Sequence, residues 1–261
     1  MDAAKLFQRW QRRLANLRAL LPELLRNSRT EGAPEQIHQL RVVLRRMRML
    51  ARFGQPVLGK LAVKEFNDWS RRVLDNVGPV RDYDVMLEWL KKRPDAHAEL
   101  ERQRARRIRL WKSRRGILKP PKRHLLSQIS PGAAEHQHKA RFRKDYLKQG
   151  ERLHRKAAAA APRYFDLSLV QRHEFRRVIR RWRYWRELSL AQRKLPRDPI
   201  FKQLVRLQDT LGEYQNRVVA ERILTRHHAD PDGKLHRALL EEQDRVQQRI
   251  RRPLTSVTRL A

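Results

Sequence analysis

Apolar side chains return along this chain at steps of three and four residues, a spacing that buries one face of a helix. Over residues 4–27 the set is Leu6, Trp10, Leu14, Leu17, Leu21 and Leu24. No alternating strand pattern and no hairpin turn signal competes with it. Gly32 and Pro34 interrupt the first stripe, and "FGQPVLG" interrupts the next before residues 61–77 resume it. Gly78-Pro79 predicts a stop, with glycine as the C-terminal cap and proline opening a new helix. Asp82 and Asp84 then fall in or near a first turn. A long, very basic helix follows over about 97–117 and ends before Pro120-Pro121.

Small residues, proline and glycine around Ser130 to Gly132 mark an internal boundary. Beyond it the pattern predicts helices near 136–160, over 168–193, from Asp198-Pro199 toward His228, and over 233–252. Four helices precede the boundary and four follow, and the halves match in detail. "IHQLRVVLRRMRML" from Ile37 aligns with "RHEFRRVIRRWRYW" from Arg172 at an offset of 135. His38 meets His173, Arg41 meets Arg176, Arg45 meets Arg180, Arg46 meets Arg181 and Arg48 meets Arg183. The apolar positions agree too, Leu40 with Phe175, Val43 with Val178, Leu44 with Ile179 and Met47 with Trp182. Farther on, "LDNVGPVRDYDV" from Leu74 faces "QDTLGEYQNRVV" from Gln208. Two matches in order, at nearly equal offset, point to a duplication.

A helix turns about 100° per residue, so Arg41, Arg45, Arg48 and Arg52 lie within an arc of about 80° that contains His38. Leu40, Val43, Leu44, Met47, Leu50 and Ala51 gather on the opposite side. The result is a core face backed by a charged rail about 20 Å long. The second copy repeats it with His173, Arg176, Arg180 and Arg183, while Arg46 and Arg181 lie about 80° to the other side of the histidines. Between Glu35 and Arg52 no acidic residue neutralises the first rail, so it repels itself and calls for an anion. The whole chain carries the same imbalance, with 62 Lys plus Arg against 28 Asp plus Glu and a net charge of +34. Nucleic acid, an anionic membrane and inorganic polyanions are the candidate partners. A count of 47 Arg to 15 Lys leans toward bidentate phosphate contact.

Other chemistry is thinly represented. The absence of cysteine excludes disulfides and cysteine-based zinc sites and fits a reducing compartment. No apolar run of about 18 residues spans a membrane, and the N-terminus lacks a signal core, so the expected place is the cytoplasm with no membrane partner. His38 and His173 each open a rail but have no second ligand at i+4, and their arginine neighbours would repel a cation. His136/His138 and His227/His228 form looser clusters, and neither a metal nor a cofactor is expected. Asp82 and Asp84 lack catalytic partners and read as caps and as pairs for the rail arginines. No nucleophile triad, phosphate-binding loop or dinucleotide fingerprint stands out, so no enzyme is expected.

His-x-x-Arg followed by Arg-Arg-x-Arg, then "VGPVRDYDV", "HEFRRVIRRWRYWRE" and "LQDTLGEYQN", resemble the motifs of the CHAD family, the conserved histidine α-helical domain. The similarity covers nearly the whole chain. It implies an all-α fold, two four-helix bundles related by internal pseudo-twofold symmetry. They would form one CHAD-like domain over 1–261, with a first helical repeat in 1–130 and a second in 131–261. Basic residues of both halves would line a central groove or pore. The resemblance also implies non-enzymatic binding of inorganic polyphosphate and association with polyphosphate granules. Onto matching positions it carries His38, Arg41, Arg45, Arg48, His173, Arg176, Arg180 and Arg183, with Arg46 and Arg181 beside them. Where the family's second motif has an acidic residue this chain has Asn216, so the halves need not contribute equally.

Two readings compete with that one. In "RQRARRIRLWKSRR" the cations Arg106, Arg107, Lys112, Arg114 and Arg115 can extend a polyphosphate groove or contact a nucleic-acid backbone. Single-stranded sites normally interleave aromatics with charge, whereas Trp10, Trp69, Trp182 and Trp185 follow core phase and only Tyr184 falls on a rail. The third class is a scaffold that recruits other proteins to an anionic granule.

Overall fold

The computed structural model describes residues 2–91, 97–114, 116, 136–227, 230 and 233–259, and the regular structure among them is helical. The first apolar stripe forms α1 (Ala3–Thr30), where the Asp2 side chain accepts from the Ala4 and Lys5 amides and satisfies two donors that a helix start leaves free. Gly32 ends it at φ 71°, a conformation that favours glycine. α2 (Pro34–Phe53) opens with proline, and the Gln36 side chain accepts from the Ala33 amide at 3.1 Å. A short α3 (Gln55–Leu58) links it to α4 (Lys60–Leu90).

The stop expected at Gly78-Pro79 does not occur: α4 runs through Pro79. A proline ring clashes with the Cβ of the residue before it and drives that residue out of the helical region. α4 continues nonetheless at the loss of one backbone hydrogen bond, as α1 continues through Pro22 after Leu21 and the last helix through Pro253 after Arg252. Asp82 and Asp84 consequently sit in a helix interior and cap nothing.

The chain continues with α5 (His97–Ser113), α6 (His136–Ala160), α7 (Leu169–Ser189), α8 (Pro199–His227) and α9 (Lys234–Arg259). Ser168 and Gln171 cap the start of α7 reciprocally, and the Asp198 carboxylate accepts from the Phe201 amide at 2.7 Å. Pro253 does not end the last helix. The boundary expected around Ser130 to Gly132, Pro120-Pro121, Arg115 and His228 lie outside the described residues. No helix among the described residues is long and apolar enough to cross a membrane.

Each half packs its long helices in chain order, α1 on α2, α2 on α4 and α4 on α5, then α6 on α7, α7 on α8 and α8 on α9. Between halves, α4 meets α8, α1 meets α6 and α2 meets α7. The apolar clusters interlock accordingly. The first takes Phe142 and Tyr146 from α6 into a core of Leu6, Trp10, Leu44 and Trp69. The second holds Phe175, Ile179, Trp182 and Leu207. The third joins Tyr83, Met86 and Leu90 to Ala220, Ile223 and Leu224. Burying these faces from water is the driving term, and because partners come from both halves, α2 and α7 are held against each other.

Candidate functional site: a basic groove between three helices

Packing decides where the rail arginines go. Leu40, Val43, Leu44, Met47, Leu50 and Ala51 are all buried on α2, as are Phe175, Val178, Ile179 and Trp182 on α7. The cationic faces of both helices are thereby turned out of the cores and toward one shared space. α4 closes it, giving an open groove of about 710 Å³. Arg41, Arg45, Arg48 and Arg52 come from α2; His173, Arg176, Arg177, Arg180 and Arg181 come from α7. The α4 wall contributes Asn67, Arg71, Asp75, Gly78 and Asp82. Nine arginines face two aspartates, so the space is strongly cationic before His173 is considered.

The guanidinium groups feel one another across the duplication. Burial first, and then Arg41 and Arg176, lower Arg45 to about 10. Arg180 is lowered first by burial and then by Arg45 and Arg176. Arg41 is lowered by burial, partly restored by Asp82, and depressed again by Arg180 and Arg176 of the other rail. All remain charged near neutral pH, so the groove confines like charges. Asp82 is raised because burial outweighs the pull of Arg41 and Arg45. His173 is lowered by desolvation and by Arg176, Arg177 and Arg180, against a hydrogen bond with Gln215.

The expected site residues divide. Eight of them, Arg41, Arg45, Arg48, Arg52, His173, Arg176, Arg180 and Arg181, meet in the groove. His38 is half-buried beside Arg81 and Glu35 and is not among the described lining residues. Arg46 and Arg183 converge instead on Tyr184, with their guanidinium carbons 5.7 and 4.6 Å from its ring centroid. The Nε atoms of both are buried with no hydrogen-bond partner. Arg48, the repeat equivalent of Arg183, donates from Nε to Asn67 Oδ1 at 3.3 Å on the groove wall. The groove thus draws on positions 41–52 of α2 but 173–181 of α7, different stretches of two matching rails.

No described residue of α5 lines the groove. The helix packs on α4 and α1. Arg106 and Arg114 are exposed and Arg107 is half-buried, while Lys112 Nζ donates to the Thr30 carbonyl at 2.7 Å. Asp84, expected to pair with a rail arginine, pairs with Arg104 of α5, which also donates to the Gly32 carbonyl at 2.9 Å. That link staples α5 to α4 and to the α1–α2 turn. Among the described residues no three His, Asp or Glu side chains are grouped to hold a metal ion.

Sequence reading missed Arg177, Arg71, Asn67 and Asp75. Arg177 was hidden because its repeat partner is Val42, so comparing halves discards it. The α4 wall was readable, since residues 67, 71, 75, 78 and 82 share one helix face. Glu174 of α7 pairs with Arg177 at 3.0 Å and with Arg181 at 3.5 Å, while the counter-charges of the first rail, Asp82 beside Arg41 and Asp75 beside Arg48, come from α4.

The arrangement can be set beside known proteins. The profile of the family described as CHAD domain matches residues 8–225. A crystal structure of the CHAD domain from the plant Ricinus communis is similar in fold, with a TM-score of 0.59 and 22% identity over 96% of this chain and 89% of that one. No curated protein matches the sequence. With two of its arginine-bearing helices turned onto one groove and its motifs inside the matched span, the chain belongs to the CHAD domain family.

Proposed function

We propose that the groove binds inorganic polyphosphate without catalysis, and that the protein works in the cytoplasm at polyphosphate granules. The observation that carries this reading is the convergence of Arg41 and Arg45 with Arg176 and Arg180, cations that repel one another until an anion lies among them. Polyphosphate is a flexible thread of charge without bases. Its receptor needs rows of guanidinium groups, whose forks match phosphate oxygens, and no stacking platform. The described lining includes no Phe, Tyr or Trp, whereas sites for single-stranded nucleic acid stack bases on such rings.

Competition tests the assignment. Long-chain polyphosphate and duplex DNA are titrated against the protein at about 0.15 M salt, where loose surface attraction is largely screened. Tighter binding of polyphosphate is the expected result. Preference for DNA would transfer the function to the exposed cations of α5 and overturn the proposal.

A further inference from the structure

A second basic surface adjoins the groove. α6 carries Arg141, Lys144, Lys148, Arg152 and Lys156 at steps of three or four residues, one helix face about 22 Å long. All five are exposed, and none belongs to an ion pair among the described residues. Arg141, Lys144, Lys148 and Arg152 line a trough of about 920 Å³ whose far wall is Gln55, Pro56, Gly59 and Lys60. Arg152 and Lys156 also border a cleft of about 140 Å³ that reaches Arg181. Arg52 lines the central groove, this cleft and the trough alike, so one guanidinium stands on the border of all three. One carboxylate intrudes, Asp145, which accepts a hydrogen bond from Gln149.

The fold does not require this row. Trp10 donates to the Leu50 carbonyl and Tyr146 to the Trp185 carbonyl, and Leu50 and Trp185 are repeat equivalents, so Trp10 and Tyr146 hold corresponding places. In that register α1 sets Lys5, Gln8, Arg12, Asn16 and Leu20 where α6 sets its five cations. Gln8, Asn16 and Leu20 carry no charge. A row built into only one half of a duplication serves something other than packing.

We propose that the trough along α6 is a second seat for the same ligand: a polyphosphate chain that fills the central groove leaves past Arg52 and lies along Lys144, Lys148 and Arg152. The inference rests on reading the central groove as a polyphosphate site. It makes affinity depend on chain length, because a short oligomer occupies the groove alone and a long chain engages both surfaces as linked sites.

The test compares wild type with Lys144→Glu/Lys148→Glu/Arg152→Glu and with the milder glutamine triple variant, by calorimetric titration with tripolyphosphate and with long-chain polyphosphate. These side chains are exposed, so matching melting curves are expected to verify the fold. Long-chain affinity should fall about tenfold or more in the glutamate variant, with a shallower salt dependence as fewer counterions are released. Tripolyphosphate affinity should fall much less, because Lys144, Lys148 and Arg152 do not line the central groove and only Arg152 acts on one of its cations, Arg52. Unchanged long-chain binding, or an equal loss for both ligands, sinks the second seat. A wild type that binds neither ligand removes the central-groove reading itself, an outcome distinct from the other two.

Discussion

Gly78 leaves the space beside which Arg41 lies: a Cβ at position 78 would be 3.0 Å from Arg41 Nη1. The repeat equivalent is looser, since a Cβ at Gly212 would be 3.8 Å from Arg176 Nη2. One missing side chain therefore makes room for a guanidinium on the groove wall.

Gly78→Ala should push Arg41 off its position and weaken polyphosphate binding by about 1 kcal/mol, close to fivefold. Gly212→Ala makes only an ordinary contact with Arg176, so binding should hold. Replacing a helix-interior glycine should also raise its unfolding free energy by about 0.5–1 kcal/mol. Calorimetric titration and denaturant melts of the two variants check the contrast. Equal affinities would show that Arg41 makes no use of the gap.

Arg45→Met keeps the aliphatic stem and removes a cation crowded by Arg41 and Arg176. With discount for solvent screening of a half-buried group, the ligand-free variant should gain about 1 kcal/mol of stability while losing polyphosphate affinity. Wild type should instead gain about 2.7 kcal/mol from ligand at a hundred times Kd, by mass action. Thermal melts with and without polyphosphate report both effects. A wild-type melting curve that saturating ligand leaves unmoved counts against the groove as the site.

The histidines tie binding to pH. Both are lowered from 6.5 by burial and neighbouring arginines. A depressed folded-state value means that their contribution to stability is present above about pH 6.5 and is lost as pH falls through the folded value. Bound phosphate favours the protonated ring, so affinity should rise from pH 8 to pH 6 while the ligand-free protein weakens. Because His173 lines the groove and His38 does not, His173→Ala should remove more of that rise than His38→Ala. Titrations at three pH values decide it, and a flat wild-type profile excludes both rings from the site.

Asp82→Asn places in the first half the residue type that the second half already has at Asn216. Asp82 is raised by burial, so its ionised form is a cost in the folded state at neutral pH, and the amide should leave stability unchanged or slightly higher. Removing a negative charge from the wall should tighten polyphosphate binding about two- to fivefold, on the order of 0.5–1 kcal/mol. Weaker binding would mean instead that Asp82 positions Arg41.

Much of the architecture was legible before any coordinates. Leu6, Trp10 and Leu14 recur at helical steps because burying one face requires it, and the histidine-arginine pattern exposes its repeat because duplication preserves spacing. Gly78-Pro79 misled because punctuation rules describe the usual effect of proline on its neighbour, whereas α4 is packed on α2, α5 and α8 and stays helical through it. Arg183 misled for a different reason. Angular position on one helix places a side chain on a face, but says nothing of what lies across from that face.

By itself the sequence determined that the chain is helical and carries its histidine-arginine pattern twice, with arginines segregated from the buried face of each rail, since that segregation follows from covalent spacing and the 3.6-residue turn. Only the tertiary structure decided that α4 completes the groove, that Arg177 and Arg71 join it, and that Arg46 and Arg183 leave it for Tyr184. The reason is that a groove is a relation among helices distant in the chain. It is set by how their buried faces dock, and periodicity within one helix carries no record of its neighbour.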